Sequence, residues 1–311
     1  MKILVTGGAG FIGSHLVDRL VDRGDKVVII DDLSSGRKEN LNPGAIFYNI
    51  DICDENIATV FKKEKPEIVF HLAARADVRK SVADPVRDAQ TNILGSLNVF
   101  ENARRHNVKK VIFTSTGGAI YGNVDIVPTP ETCREFPLSP YGIAKLSIEK
   151  YLYYYNKIFG MNFAIMRLAN VYGPRQNPQG EAGVVAIFCG KMLAGQQPVV
   201  NGGGEQTRDF IYVDDAVVAV AAAMSGKNNA IYNIGTGVET NIAEILERLS
   251  GLLGIDPKMA RAPSKLGEQK RSCLDIAKAN QELGWRPENS LKQGLEKTAG
   301  WFKEKIIKGN L

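Results

Sequence analysis

Cysteine, histidine and tryptophan are scarce in this 311-residue chain, at four, three and two residues. The cysteines Cys53, Cys133, Cys189 and Cys273 lie far apart and form no C-x-x-C pair. That excludes the usual zinc and dithiol spacings, so no metal is expected and the thiols read as reduced, as in the cytoplasm. No apolar run approaches the roughly 20 residues a membrane-spanning helix needs. The first apolar run is broken at once by glycines and lacks the layout of a secretion signal. The net charge of +5 is spread out, with no long basic block. Neither nucleic acid nor a membrane is therefore an expected partner. What remains is a chain of ordinary globular composition, long enough for a large core and two lobes.

The first thirty-six residues organise the rest. Lys2-Ile3-Leu4-Val5-Thr6 is a short apolar run, followed by Gly7-Gly8-Ala9-Gly10-Phe11-Ile12-Gly13 and then by apolar residues at helical spacing from Ser14. A second apolar run, Val27–Ile30, ends in Asp31. This is strand, glycine turn, helix, strand, acid, with the glycines spaced G-x-x-G-x-x-G. In such a turn the first glycine permits the tight bend, the second lets backbone approach a pyrophosphate, and the third brings helix and strand close. The unpaired N–H groups and dipole of the helix start then hold the anion. Asp31 lies where a carboxylate can accept from both adenosine ribose hydroxyls, and its charge opposes a 2′-phosphate. NAD is expected rather than NADP, with Arg37 as a weak contrary signal.

Strand-like and amphipathic stretches alternate through the first half. Strands are expected at 46–51, 67–72, 110–115 and 163–168, with a helix ending near Glu64. Asp84-Pro85 and Ser139-Pro140 each read as a capping residue followed by a proline that opens a long helix. Beyond Asn170 the pattern loosens through a Pro-, Gly-, Asn- and Gln-rich loop, with later helices at about 215–224 and 242–253. The alternation predicts an α/β fold, a doubly wound parallel sheet of the Rossmann type with a smaller C-terminal α/β lobe. The expected division is 1–170 for the dinucleotide domain and 171–311 for the lobe, the chain returning to the first domain around 211–237.

The chemical centre is Tyr141-Gly142-Ile143-Ala144-Lys145. An i, i+4 spacing puts phenol and ammonium on one helical face, with Cβ atoms about 6 Å apart. Tyrosine normally ionises near pH ~10. A neighbouring ammonium favours the phenolate, which can then accept a hydroxyl proton while hydride leaves the adjacent carbon. The run Thr114-Ser115-Thr116-Gly117-Gly118 at a strand end offers hydroxyls to hold the reacting oxygen; Thr116 is the first candidate and Ser115 the second, the alternative being that no protein hydroxyl serves and Tyr141 acts directly or through water.

These segments, with His71-Leu72-Ala73-Ala74, Thr91-Asn92, Arg167–Pro174, Arg208–Asp215 and Asn233–Gly237 in order, resemble the extended short-chain dehydrogenases/reductases. The similarity is greatest to UDP-glucose 4-epimerases and runs from Thr6 to Trp285. The resemblance implies that Gly7, Gly10, Phe11, Ile12 and Gly13 hold the NAD pyrophosphate and that Asp31 and Asp32 serve the ribose. Ser35 and Gly36 would lie by the adenosine phosphate, Asp51 and Ile52 by adenine, and Leu72, Ala73 and Ala74 along the dinucleotide. Asn92 reads equally as a support of the sheet or a residue beside the active site. Tyr141 and Lys145 match the base and its partner. On the substrate side the resemblance implies Asn170, Gly183, Val184, Val199 and Arg208, and Lys265 and Glu268 where the family has Arg and Asp. It departs at Gly117, where most epimerases carry the catalytic Ser or Thr.

The implied reaction is epimerisation at carbon 4 of UDP-hexoses, because the Thr-Asp-Glu of sugar dehydratases and the glutamate of decarboxylases are absent at Thr116-Gly117-Gly118. Alternatives are a 4-epimerase of UDP-glucuronate or a UDP-pentose, and, in another class, a dinucleotide-sensing protein without turnover. Ser272 falls where a bulky tyrosine restricts other epimerases, so the N-acetylated pair is expected to be accepted too. The helices opening at Pro85 and Pro140 match a four-helix bundle that joins two copies into a homodimer.

Overall fold

The computed structural model describes residues 1–179, 183–256, 260–263 and 269–307. Six strands alternate with helices in the first half: β1 (Lys2–Thr6), β2 (Lys26–Asp31), β3 (Ile46–Asn49), β4 (Ile68–His71), β5 (Lys110–Thr116) and β6 (Asn162–Leu168). Then come β7 (Asn170–Tyr172), β8 (Val199–Asn201), β9 (Thr207–Tyr212), β10 (Ala230–Ile234), β11 (Glu239–Asn241), β12 (Ala260–Ala262) and β13 (Arg271–Ser272). The large sheet runs β10-β6-β5-β4-β1-β2-β3 with every neighbouring pair parallel. Its central strands are continuous apolar runs because both faces are covered: Ile3, Leu4, Val5 and Val28 to Ile30 are all fully buried. Strand order reverses at β1, between β2 and β4, and that switch point opens a crevice at the carboxyl edge.

Local capping follows the residue types. Asp84 accepts from the Arg87 N–H ahead of the helix Pro85–Ala89, and Ser139 from the Gly142 N–H ahead of the helix Pro140–Phe159. The first helix continues through a π turn, Gln90–Gly95, into Ser96–Arg105. A six-residue helix, Val78–Ala83, capped by Asp77, precedes it. That element is too short for apolar periodicity to show in the sequence.

The smaller lobe is built on β11-β9-β13, with β7 also pairing with β9, and on a β8-β12 pair. While β9 stays in this lobe, the helix Val213–Ala222 packs on the helix Phe11–Asp22 and β10 completes the large sheet. One apolar core spans both lobes, joining Ile3 and Leu16 to Phe188, Ile211 and Leu249. Buried Asp209 on β9 ties the lobe to the sheet edge. It accepts from the N–H and hydroxyl of Thr236 and from the N–H groups of Gly237 and Leu274. Burial pushes its pKa upward, and those donors oppose the rise. No helix among the described residues is long and apolar enough to cross a membrane.

His71, at the end of β4, is fully buried between Thr6 and Ser96. The Ser96 hydroxyl donates to the Asn92 carbonyl, so Nε2 carries the ring hydrogen and Nδ1 accepts from Thr6. Burial, with the Lys145 charge adding to it, lowers its pKa from 6.5 to about 3. Between those values only the unfolded chain binds the proton, so His71 costs stability as the pH falls. From about pH 7.5 to 5.5 this group should remove about 1.4 kcal/mol. Urea unfolding at the two pH values should show that increment, and the His71→Gln protein should lack it.

Candidate active site

Gly7 closes β1 at φ +73°, and a Cβ there would stand 2.7 Å from the Ala73 nitrogen. A Cβ on Gly13 would run into the Gly7 carbonyl. Helix and turn are in contact through bare backbone. The helix Phe11–Asp22 starts after Gly10 with no side-chain cap, so its first N–H groups face the crevice as an anion cradle. Across the turn, Asp31 accepts from the Ala9 and Leu33 N–H groups at 2.9 Å each. Burial raises its pKa, and the two N–H groups pull it back. A Cβ on Gly36 would lie 2.7 Å from the Asp31 carboxylate, so this glycine lets the loop fold over the acid.

A cavity of about 980 Å³ follows the carboxyl edge from this turn. Gly7, Gly10, Phe11, Ile12, Gly13, Asp31, Asp32, Ser35, Asp51 and Ile52 line one end, and Leu72, Ala73 and Ala74 the middle. Thr116, Tyr141, Lys145, Asn170 and Gly183 line the other end. Gly36, Val184, Val199, Arg208 and Ser272 are not among its lining residues. Val184 begins the helix Val184–Leu193, Val199 lies on β8, and Ser272 pairs with Arg208 between β13 and β9. Lys265 and Glu268 lie outside the described residues. Asn92 does not line the cavity either. Its amide accepts from the Arg75 N–H and donates to the Arg75 carbonyl and to Asp88, which is a support of the adjoining loop. Sequence reasoning missed Arg75, Lys80, Arg87 and Gln176 on the wall, since cations near a helix start read as solvated surface.

The helix from Pro140 places the pair. Buried Lys145 donates to the Thr114 carbonyl at 2.9 Å, with its ammonium 5.8 Å from the centre of the Tyr141 ring. The phenol therefore sits in the field of a fixed cation, which favours its ionised form. Thr114, Ser115 and Thr116 all line the cavity, but the Ser115 hydroxyl donates to Glu149 at 2.5 Å and that of Thr114 to the His71 carbonyl at 3.3 Å. The Ser115 hydroxyl is thus held by the buried Glu149. Gly117 points away: a Cβ there would lie 2.7 Å from Leu274 Cδ2. Gly118 is open, with Asn170 Oδ1 3.5 Å and Thr116 Oγ1 3.9 Å from where its Cβ would be.

The donors and acceptors left over fit a dinucleotide and a second polar ligand. Asn170 Oδ1 and Gln176 Oε1 are buried at the cavity wall without a hydrogen-bond partner among the described residues. A buried amide oxygen without a donor is costly, and a bound hydroxyl or N–H group would satisfy it. At the other end, bare backbone at Gly7, Gly10 and Gly13 leaves the space that side chains would fill, with a carboxylate beside it. No group of acids, histidines or cysteines among the described residues could hold a metal ion.

Residues 3–235 match the sequence profile of the NAD dependent epimerase/dehydratase family. A UDP-glucose 4-epimerase of Mycolicibacterium smegmatis is 43% identical over 98% of this chain and 99% of its own. The solved UDP-glucose 4-epimerase of Thermotoga maritima, crystallised with UDP-glucose, is 50% identical and superposes with a TM-score of 0.97, covering 98% of this chain and all of its own (100%). That of Thermus thermophilus, in complex with NAD, is 41% identical with a TM-score of 0.94 over 97% of this chain and 99% of its own.

The packing at Gly117 makes a test. Serine there should not place a hydroxyl in the cavity but should displace Leu274, at about 1–3 kcal/mol for an overpacked site. A Gly117→Ser protein as stable to urea as the parent would contradict this geometry.

Proposed function

The chain belongs to the NAD dependent epimerase/dehydratase family, and from that premise we propose that it is a 4-epimerase of UDP-hexoses. The observation that carries the reading is where the cavity has acids. Among the described residues its only carboxylates are Asp31, Asp32 and Asp51, all at the dinucleotide end. Among the described residues, no acid lines the cavity around Tyr141 and Lys145 to take a further proton from an oxidised sugar or to expel water from it. Return of the hydride is the step left.

Gly7, Gly10 and Gly13, with the helix start, would hold the pyrophosphate of NAD, and Asp31 its ribose hydroxyls. The chemistry NAD supplies when bound is reversible uptake of a hydride, so a 4-keto sugar forms transiently and the cofactor ends as it began. Tyr141 accepts the proton of the sugar 4-hydroxyl and returns it after the sugar has turned over. Lys145, held by the Thr114 carbonyl, favours the phenolate. Thr116 bonds the reacting oxygen from the strand end. Asn170, whose amide oxygen lacks a partner among the described residues, meets the sugar nucleotide near its diphosphate. Arg208, Lys265 and Glu268 would complete the nucleotide contacts in the lobe. By its resemblance to the family, Ser272, which does not line the described cavity, takes the place of a tyrosine that crowds carbon 2, which supports UDP-N-acetylglucosamine and UDP-N-acetylgalactosamine as a second interconverted pair.

Incubation with UDP-galactose, followed by chromatography of the products, tests the reading. UDP-glucose should appear, and the N-acetylated pair should interconvert in the same panel. Tyr141→Phe should keep its NAD yet lose turnover by about three orders of magnitude or more, because no proton acceptor remains. No conversion of any UDP-sugar by the unaltered protein would refute the proposal.

The apolar residues left outside point to a homodimer. Val82 on the helix Val78–Ala83, Val86 on the run after Asp84 and Ile143, Tyr153 and Ile158 on the helix Pro140–Phe159 are exposed by half or more, Val86 by 67%. The helices that carry them pack against one another, and exposed apolar side chains gathered in this way mark an interface. Light scattering at micromolar concentration should give twice the chain mass, and the single-chain mass would exclude it.

A further inference from the structure

The helix that carries Tyr141 and Lys145 carries Glu149 one turn further on, and the four-residue spacing keeps all three on one stripe. Glu149 is buried, and its carboxylate takes three bonds. Ser115 Oγ donates to Oε1 at 2.5 Å, Arg167 Nε to Oε1 at 3.0 Å and Arg167 Nη2 to Oε2 at 2.5 Å. Arg167, with no exposed surface, also donates to Glu135 at 2.7 Å and to the Tyr121 hydroxyl at 2.8 Å. Tyr121 in turn donates to Asn233 on β10. One turn up, Lys145 donates to the Thr114 carbonyl. Two successive residues of β5 thus fasten two successive turns of the helix.

This lattice adjoins each group assigned to the chemistry. Thr116 follows Ser115 on β5, Asn170 comes three residues after Arg167, and Tyr141 lies two turns before Glu149. A buried ion pair is not in itself a source of stability, since apolar groups of similar volume often serve as well. What an apolar filler could not do is hold a serine hydroxyl, two strands and a helix at set heights through directed bonds.

We infer that Glu149 and Arg167 are positioning residues of the reaction. Together with Ser115 they set the height of Tyr141 and Lys145 against Thr116 and Asn170. The inference rests on the proton-accepting role proposed for Tyr141. Reacting groups misplaced by about 1 Å lose on the order of 100-fold in rate, so a small slip of the helix along β5 is enough to matter.

The test uses the NAD-loaded protein and reads kcat, KM for UDP-galactose, bound NAD and the pH profile of kcat. Ser115→Ala removes one bond and no charge. It should keep its NAD and KM and lose about 3- to 10-fold in kcat, a fraction of the loss for a full misplacement. The double variant Glu149→Gln with Arg167→Met removes both charges together, and Glu135, which loses Arg167, keeps Lys150 at 3.8 Å. It should lose about 100-fold in kcat. Its acid limb should also move to higher pH, because a looser Lys145 supports the phenolate less. If both proteins bind NAD, keep kcat within about twofold and leave the limb unmoved, the lattice is merely structural and the inference falls. Should the double variant not fold, the kcat and KM of Ser115→Ala decide alone. An unaltered protein that leaves UDP-galactose unchanged would instead remove the reading of Tyr141, and the inference with it.

Discussion

The close approach of the helix Phe11–Asp22 to the turn after β1 is the contact on which the rest depends. Helix and turn touch through backbone, because a side chain at Gly13 would overlap the Gly7 carbonyl. That approach brings the uncapped helix start over the carboxyl edge at the point where strand order reverses. From there the cavity can only run along the edge, past β4 to the ends of β5 and β6. The positions of Asp31, Ala73, Thr116 and Asn170 are all consequences, since each sits at or just beyond the end of a strand.

A second constraint is the treatment of buried polar groups. Asp31, Asp209 and Arg167 lie deep in the protein, where an unpaired charge would be expensive. Each is enclosed by directed bonds. Asp31 faces two backbone N–H groups and retains acceptor capacity toward the cavity. Asp209 faces the loops that follow β10 and β13. Arg167 faces two carboxylates and a phenol. Such bonds define angles and distances that apolar packing leaves loose. Asn170 and Gln176 are the contrasting case, with acceptors at the cavity wall that lack donors among the described residues.

Much of this was legible in order along the chain. The glycine turn, its two strands and Asp31 form a local unit whose geometry follows from residue types a few positions apart. The caps at Asp84 and Ser139 are equally local, and both hold as read. The Tyr141–Lys145 pair needed only helical periodicity. The six-residue helix Val78–Ala83 escaped because a helix of under two turns has no period to detect. The π turn escaped because it arises where Asn92 reaches over to hold the Arg75 backbone, a contact across seventeen residues.

The choice among hydroxyls shows where sequence stops. Thr114, Ser115 and Thr116 are adjacent and chemically alike, and nothing local ranks them. All three line the cavity, and the fold tells them apart by their bonds: Glu149, on a helix thirty-four residues away, takes the Ser115 hydroxyl, and the His71 carbonyl takes that of Thr114. Likewise, Gly117 is understood only once Leu274, far along the chain, is seen lying against it. By itself the sequence determined the doubly wound sheet, the dinucleotide turn and the phenol–ammonium pair, because those are set by short-range spacing and burial period. Tertiary structure alone decided which hydroxyls are already bonded within the protein, which groups Asn92 bonds and which polar groups remain unsatisfied, because those depend on the residues that packing brings against them.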